Sequence, residues 1–524
     1  MGVSGHGGPL VPAGVDPRLH DVVEHNAYWF PDRPALIYES TLITWEGFRD
    51  RLIRLAAGVE RKAVADGDRV AVLAGNAVDY VVLQYALSLV GAILVPINTR
   101  LAVPEIVYIL RDCDPVLLLH DAQHAGKAAA ASSDAGVPAR VEALDSAPAD
   151  PGLWAWTEGT LAPVGSAPAG AGTTGTWNRA HAILYTGGTT GRPKGAIITH
   201  RRNLVDGVSV GSALGLRGHE RFLCLAPLSH TAAWDYLKIY FLVGGSAVVL
   251  PRFDGATVVR ALEACRCNGL WTVPLMLHEM MACEEFRTAD LASVELIAYS
   301  AFDPTQLMPT VIQAFRSRGA ASVQIAHGYG LTEAGPFVTV LRPEQAEDDP
   351  SSVGTPVPGV RVALFDDDGR PVTRGEIGEV CVRSAAVMAG YWRQPEETAA
   401  AFRDGWLRTG DLGRINELDH LEIVDRRKDM IRTAGENVYA KEVELTLMEH
   451  PAVTDCAVIG RRDERYDERV VAIVVTDVAD HELRAFARER LAGFKVPKEF
   501  IHLAALPKTA AGKTIKTDLR ARYP

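Results

Sequence analysis

Five short polar stretches carry residue types suited to phosphate and carboxylate chemistry. The first, "ILYTGGTTGRPKGAIITH" at 183–200, sets four glycines, four threonines, an arginine and a lysine between apolar, β-branched flanks. Clustered glycine marks tight turns or close approach of backbone to a ligand, and unhindered amides, hydroxyls and a lysine suit phosphate oxygens. An exposed Thr-Gly turn is the structural alternative. A Walker A loop requires Gly-Lys followed at once by Ser or Thr and then a helix. Here Lys194 precedes Gly195 and "AIITH", which reads as a second strand. That order argues against a Walker site and opens chemistry at the alpha phosphate of ATP, with loss of pyrophosphate, beside transfer of the gamma phosphate.

The other four stretches are "PLSH" at 227–230, "HGYGLTEAG" at 327–335, "GWLRTGDLG" at 405–413 and "LPKTAAGKTIKTDLR" at 506–520. His230 is either a helix cap or a polar group beside a substrate. Tyr329 is available for stacking and Glu333 for magnesium; an aromatic turn is the alternative. Asp411, between glycines, can accept hydrogen bonds from vicinal ribose hydroxyls, or be a turn residue. Lys508, Lys513 and Lys516 form either a solvated basic tail or a mobile lysine brought to a reacting phosphate.

A chain of 524 residues exceeds one hydrophobic core, so two to four domains are expected. Hydrophobic residues make up 48% and charged residues 23%, an ordinary globular balance. The formal charge of -11 disfavours nucleic acid or an anionic membrane as main partner. No eighteen-residue apolar span and no secretory leader are visible, and the seven cysteines are scattered. A cytoplasmic protein with unpaired thiols is expected.

The elements that must position these residues follow an α/β rhythm. "RVAVLAG" and "GAILVPI" read as buried strands around the helical "AVDYVVLQYALSLV"; "AVVLPRF" and "GLWTVPL" repeat the theme around "DGATVVRALEACRC". From 143 to 176 an Ala/Pro/Gly/Ser-rich excursion interrupts the pattern. After "GEIGEVCVRS" the pattern turns antiparallel, and the last hundred or so residues read as a small α+β domain beyond the polar run "DRRKD" at 425–429.

Together, from "TWEGF" at 44–48 to the final "DLR", these motifs closely resemble the adenylate-forming superfamily, with "VDRRKDMIRTAGENVYAKEVE" at 424–444 nearest to its acyl- and aryl-CoA ligases. The resemblance implies a large multi-sheet α/β N-terminal domain (1–424), a hinge (425–428) and a small mobile α+β C-terminal domain (429–524). It implies attack of a carboxylate on Mg-ATP, then attack of a thiol on the acyl adenylate with release of AMP. The partners expected are ATP, Mg2+, a small carboxylic acid and coenzyme A or a carrier-protein thiol, in a monomer or homodimer. By motif, Thr186, Gly187, Gly188, Thr189, Thr190, Gly191 and Lys194 resemble the loop for the beta and gamma phosphates. Tyr329 resembles the residue beside adenine, Thr332 the alpha-phosphate contact and Glu333 the magnesium ligand. Asp411 and Arg426 resemble the ribose contacts, Lys513 the catalytic lysine and His230 the switch beside the carboxylate. Lys428 stands at the hinge position, and Gly435, Glu436 and Asn437 match the segment beside the pantetheine channel.

Three departures bear on specificity. Gly187 replaces the usual serine, and Ala434 the first glycine of a pair. "YSAFDPTQL" at 299–307 replaces a small-residue turn, so that Ser300, Phe302 and Asp303 occupy positions that line the acyl pocket in relatives. Trp234, Tyr236, Ile325, Gly328 and Ala334 fall in the same region by resemblance. Several aromatics favour a flat or compact acid, although Trp234, Tyr236 and Phe302 could equally be core and Asp303 a helix cap. Transfer to a carrier protein, or to an unusual acceptor such as nitrite in diazotisation, is the competing expectation for a freestanding enzyme. A nucleotide-binding scaffold without turnover would not require the distal Lys513.

Overall fold

The computed structural model describes residues 16–38, 41–137, 139–144, 176–186, 193–300, 307–346, 348–433, 436–463, 467–509 and 513–523. The 143–176 excursion lies almost wholly outside them.

Two sheets organise the large lobe. The first has six strands in the order Arg140–Ala143, Leu117–His120, Arg69–Leu73, Ile93–Pro96, Ala180–Thr186, Lys194–Thr199. All neighbours are parallel except the last pair. Val70, Ala71, Val72 and Leu73 are all buried, as a parallel strand covered on both faces requires. Gly91 ends the helix Val78–Val90 at φ 88°. A Cβ there would lie 2.3 Å from the Asp66 carboxylate, so only glycine permits the tight return into Ile93–Pro96.

The second sheet has nine strands and carries the site at one end. Its parallel centre runs Gln324–Leu331, Leu296–Tyr299, Gly269–Thr272, Arg221–Cys224, Ser246–Val249, Pro34–Tyr38. Gly335–Leu341 folds back antiparallel on Gln324–Leu331. The helices Trp45–Arg61, Val78–Val90, His200–Ala213 and Thr231–Leu242 share one core with residues of both sheets, among them Val70, Ala182, Phe222 and Ala247. Separate cores cover the other face of each sheet. The large lobe is therefore layered, with helices between two sheets and outside both.

An antiparallel sheet of Val360–Phe365, Gly378–Ser384, Phe402–Arg403, Trp406–Ile415 and Leu421–Arg426 completes this lobe. The small lobe has its own sheet, from Ile431–Thr433 to Glu499–His502, with the helices Ala440–Met448, Asp480–Arg488 and Lys516–Arg522. Its two cores contain no residue of the large lobe. The α/β lobe and smaller α+β lobe expected from the sequence are both present. Among the described residues no helix is long and apolar enough to cross a membrane. The seven cysteines form no disulfide.

Candidate active site

The glycine-rich loop joins two adjacent antiparallel strands, with Thr186 opposite Lys194 in register. Gly187, Gly188, Thr189, Thr190 and Gly191 lie outside the described residues, but both anchors are placed. The Thr186 hydroxyl donates to Glu333 Oε1 at 3.2 Å, and the Tyr391 hydroxyl donates to the same oxygen at 3.2 Å. Lys194 pairs with Glu397, its ammonium 5.2 Å from the Tyr391 ring centre. Tyr391 is there because segment 389–392 runs beside the second loop strand: Ile197 N–H donates to the Gly390 carbonyl (2.9 Å) and Trp392 N–H to the Gly195 carbonyl (2.7 Å). Gly195 lets the two loop strands pack closely, since a Cβ would come within 2.6 Å of Ile183 on the facing strand.

Thr332 and Glu333 sit in the turn between Gln324–Leu331 and Gly335–Leu341. Met388 N–H donates to the Glu333 carbonyl at 2.7 Å, which ties the turn to the same segment.

Tyr329 and Asp411 meet across two sheets. The phenol donates to Asp411 Oδ2 at 2.7 Å, and Arg426 Nε lies 3.2 Å from Oδ1. Arg426 is the register partner of Asp411 on the neighbouring strand. Burial and the Asp411 carboxylate push the Tyr329 phenol well above its ordinary pKa. An ionised carboxylate offers about four acceptor sites, so Asp411 retains capacity for a vicinal diol.

His230 caps the helix Thr231–Leu242, its Nδ1 accepting from Ala232 N–H at 3.2 Å. The helix-cap reading of this residue is thus realised, and the cap also sets the imidazole in a cleft. The ring lies 6.5 Å from that of Trp271, nearly parallel. Trp271 Nε1 donates to Ser300 Oγ at 3.2 Å, and its ring lies 6.2 Å from Tyr236. Gly328 keeps the adjacent strand bare, because a Cβ would lie 2.0 Å from the Phe337 ring.

Lys513 comes from the small lobe. The Thr509 N–H donates to its carbonyl at 2.7 Å, and its own N–H donates to Thr509 Oγ1 at 3.2 Å. Lys513 and His230 are both exposed to solvent, and they lie close enough for the Lys513 charge to act on the imidazole. Desolvation first and the Lys513 charge second lower His230 to about 4, so the imidazole is neutral near pH 7. Desolvation and Arg426 lower the Lys513 pKa, opposed by Asp411.

Two expected pocket residues are displaced from the cleft. Ile325 alternates to the opposite face of its strand and packs in the core with Val323 and Ile297, as period-two geometry dictates. Trp234 is fully buried with its ring 5.3 Å from His181, on the side of its helix turned from Tyr236. Tyr236 meets Trp271 and Phe337, and Ala334 is buried in the same core. Phe302, Asp303, Ala434 and Gly435 lie outside the described residues. Lys428 lies in the single helical turn Arg427–Asp429, where Arg520 donates to Asp429 at 2.7 Å. Glu436 and Asn437 are exposed on their strand, and among the described residues no hydrogen bond joins them to the cleft.

The sequence reading missed Trp271, Tyr391 and Glu397. The "GYW" at 390–392 offered a signal, an aromatic pair after a glycine beside the large lobe's last polar motif. Trp271 was hidden inside a stretch read only as a strand.

The model of the AMP-binding enzyme family matches residues 23–392, and that of the AMP-binding enzyme C-terminal domain matches 442–513. The chain belongs to this family, in the acyl- and aryl-CoA ligase branch of the adenylate-forming superfamily. It is an AMP-forming acid–thiol ligase, which makes an acyl adenylate and then a CoA thioester. It is 37% identical over 502 residues to a feruloyl-CoA synthase of Amycolatopsis sp, covering 94% of this chain and 96% of the relative. It is 33% identical over 509 residues to an indoleacetate–CoA ligase of Aromatoleum aromaticum, covering 96% and 98%. The amide bond synthetase McbA from Marinactinospora thermotolerans superposes with a TM-score of 0.83 at 27% identity, covering 97% of this chain and 100% of that one.

Proposed function

We propose that this ligase activates a compact aromatic carboxylic acid and transfers it to coenzyme A. The observation that carries the reading is the aromatic pair His230 and Trp271, backed by the buried Tyr236 ring, with the Ser300 hydroxyl bonded to Trp271. The two relatives named for aryl-bearing acids favour the same class.

In this reading Thr186, Lys194 and the intervening loop, including Gly187, Gly188, Thr189, Thr190 and Gly191, receive the beta and gamma phosphates. Glu333 would hold Mg2+ as its protein carboxylate. One or two carboxylates with phosphate and water suffice for this ion, and the Thr186 and Tyr391 hydroxyls aim the group. Asp411 and Arg426 orient the ribose, Tyr329 borders adenine, and Thr332 contacts the alpha phosphate. Lys513 brings a cation between two mutually repelling anions, the acid and the alpha phosphate. Neutral His230 orients the acid rather than exchanging protons with it.

Residues 425–428 serve as the hinge, with Lys428 at the hinge position. Rotation of 429–524 would withdraw Lys513 and bring Gly435, Glu436 and Asn437 to the pantetheine path, so that one cleft serves two steps.

The test is product mass spectrometry over aromatic and aliphatic acids with Mg-ATP, each with and without coenzyme A. An aryl-CoA from a compact aromatic acid is expected. Preference for long aliphatic acids would defeat the pocket reading. Adenylate without thioester would move the acceptor to a carrier-protein thiol or another nucleophile.

A further inference from the structure

Beneath the turn at 332–335 lies a cluster of charges that the reading above does not use. Arg202 and Asp206 come from the helix His200–Ala213, and Asp235 and Lys238 from the helix capped by His230. Their side chains are 0–2% exposed. Arg202 grips Asp235 through two hydrogen bonds, at 2.7 and 3.2 Å. Lys238 pairs with the same carboxylate and lies 3.4 Å from Asp206. Two cations thus face two anions.

The cluster reaches the site at three points. Arg202 Nη2 also donates to the Thr332 carbonyl at 3.4 Å. The Asp206 carboxylate lies against Gly335 (φ 111°) so closely that an added Cβ would come within 2.6 Å of Oδ1. Thr231, next to His230, donates to Asp235 Oδ2 at 3.0 Å. Both ends of the turn bearing Thr332 and Glu333 and the start of the His230 helix therefore rest on one cluster.

Stability is a weak explanation for it. Desolvating each ion costs several kcal/mol, and apolar replacement of a buried pair is often neutral or stabilising. What a planar guanidinium forked onto a carboxylate supplies, and leucines do not, is fixed orientation.

We propose that Arg202, Asp206, Asp235 and Lys238 form a buried positioning frame that fixes the turn of Thr332 and Glu333 relative to His230, and so holds phosphate and acid at their reacting separation. This rests on the adenylation reading of the site. Displacement by about 1 Å can cost about 100-fold in rate.

The test uses the full-length enzyme with two variants. Arg202→Lys keeps the charge but cannot span Asp235 and Thr332 together. Arg202→Met/Asp235→Leu removes a balanced pair and leaves Lys238 with Asp206. In acid-dependent ATP–pyrophosphate exchange both should lose about 10- to 100-fold in kcat, while the KM for the acid changes little. Hydrogen–deuterium exchange should quicken at 331–335 and 229–232, with the small lobe unchanged. A folded double variant with parental kcat and parental exchange at 331–335 would overturn the frame. Loss of protection throughout the large lobe in both variants would also overturn it, by making the quartet a stability element. A parent enzyme that exchanges pyrophosphate with no acid would defeat the adenylation reading alone, and the hydrogen-exchange comparison would still decide the frame.

Discussion

The turn at 332–335 and Lys513 of the small lobe supply decisive groups to one site, and they are held in opposite ways. The turn is supported from several directions: Arg202 at the Thr332 carbonyl, Asp206 against Gly335, Met388 N–H at the Glu333 carbonyl and two hydroxyls at the Glu333 carboxylate. The described residues around Lys513 are held by their own lobe, through the Lys508–Thr514 bridge and the ion pairs Lys508–Asp455 (2.6 Å) and Lys516–Glu444 (2.7 Å). Among the described residues, Lys513 meets the large lobe only through charge, with Arg426, Asp411 and His230. In the proposed rotation of the small lobe this difference would be a division of labour, with the phosphate side fixed and the lysine free to withdraw.

The largest expected effect comes from removing that lysine. Lys513→Ala should slow adenylation by about 100- to 1,000-fold, the scale for losing one preorganised charge donor. Thioester formation from supplied adenylate should stay within a few-fold of the parent, as single-turnover assays of each half-reaction would measure. Equal losses in both would break the contrast between a fixed side and a removable one.

On the fixed side, Asp411→Ala removes a buried acceptor whose hydrogen bonds to neutral or charged donors are worth about 1.5–3 kcal/mol each. The KM for ATP should rise about 10- to 100-fold, and the calorimetric Kd for AMP should rise with it. A loss in kcat alone would mean that Asp411 acts on the reacting groups instead of on the sugar.

A smaller effect is expected from Trp271→Ala. It removes the ring paired with His230 and its bond to Ser300. Selectivity among aromatic acids should shift by about tenfold toward bulkier rings, within the range available to apolar pocket contacts. An unchanged acid profile would make Trp271 a core residue.

How much of this was legible in the sequence follows from the physics of each residue. The strand–loop–strand at 180–199 was legible because β-branched runs flank a glycine cluster. The presence of a large α/β lobe and a smaller α+β lobe was legible from the change of rhythm after "GEIGEVCVRS" and the mixed helix and strand pattern of the last hundred residues. Strand parity was only half legible: period two sets Ile325 and Gly328, three apart, on opposite faces, but the mixed pattern of "QIAHGYG" does not say which face meets the cleft. The buried frame was illegible for a related reason. Asp235 and Lys238, three apart in "AAWDYLKIYFL", have the spacing of a surface ion pair, and only packing against the helix His200–Ala213 encloses them. Tyr391 and Glu397 reach the loop from about two hundred residues away, through edge pairing that no local pattern encodes.

The subtlest effect concerns His230, and it tests the contrast in solution. Burial is the larger cause of its lowered pKa and the Lys513 ammonium the second, together bringing it from 6.5 to about 4. In Lys513→Ala the second cause vanishes and burial remains. The imidazole midpoint, read by NMR on ring-labelled histidine, should therefore rise but stay below 6.5. The sign carries over to stability. The folded value lies below the unfolded one, so the unfolded chain takes the proton first. The contribution of this histidine is complete above about pH 6.5 and is lost as pH falls toward about 4; in the variant that window narrows from its acidic end. A midpoint identical in parent and variant would mean that Lys513 does not dwell beside His230 in the free enzyme. The small lobe would then rest in its withdrawn position, and the acid and ATP would have to draw the lysine in.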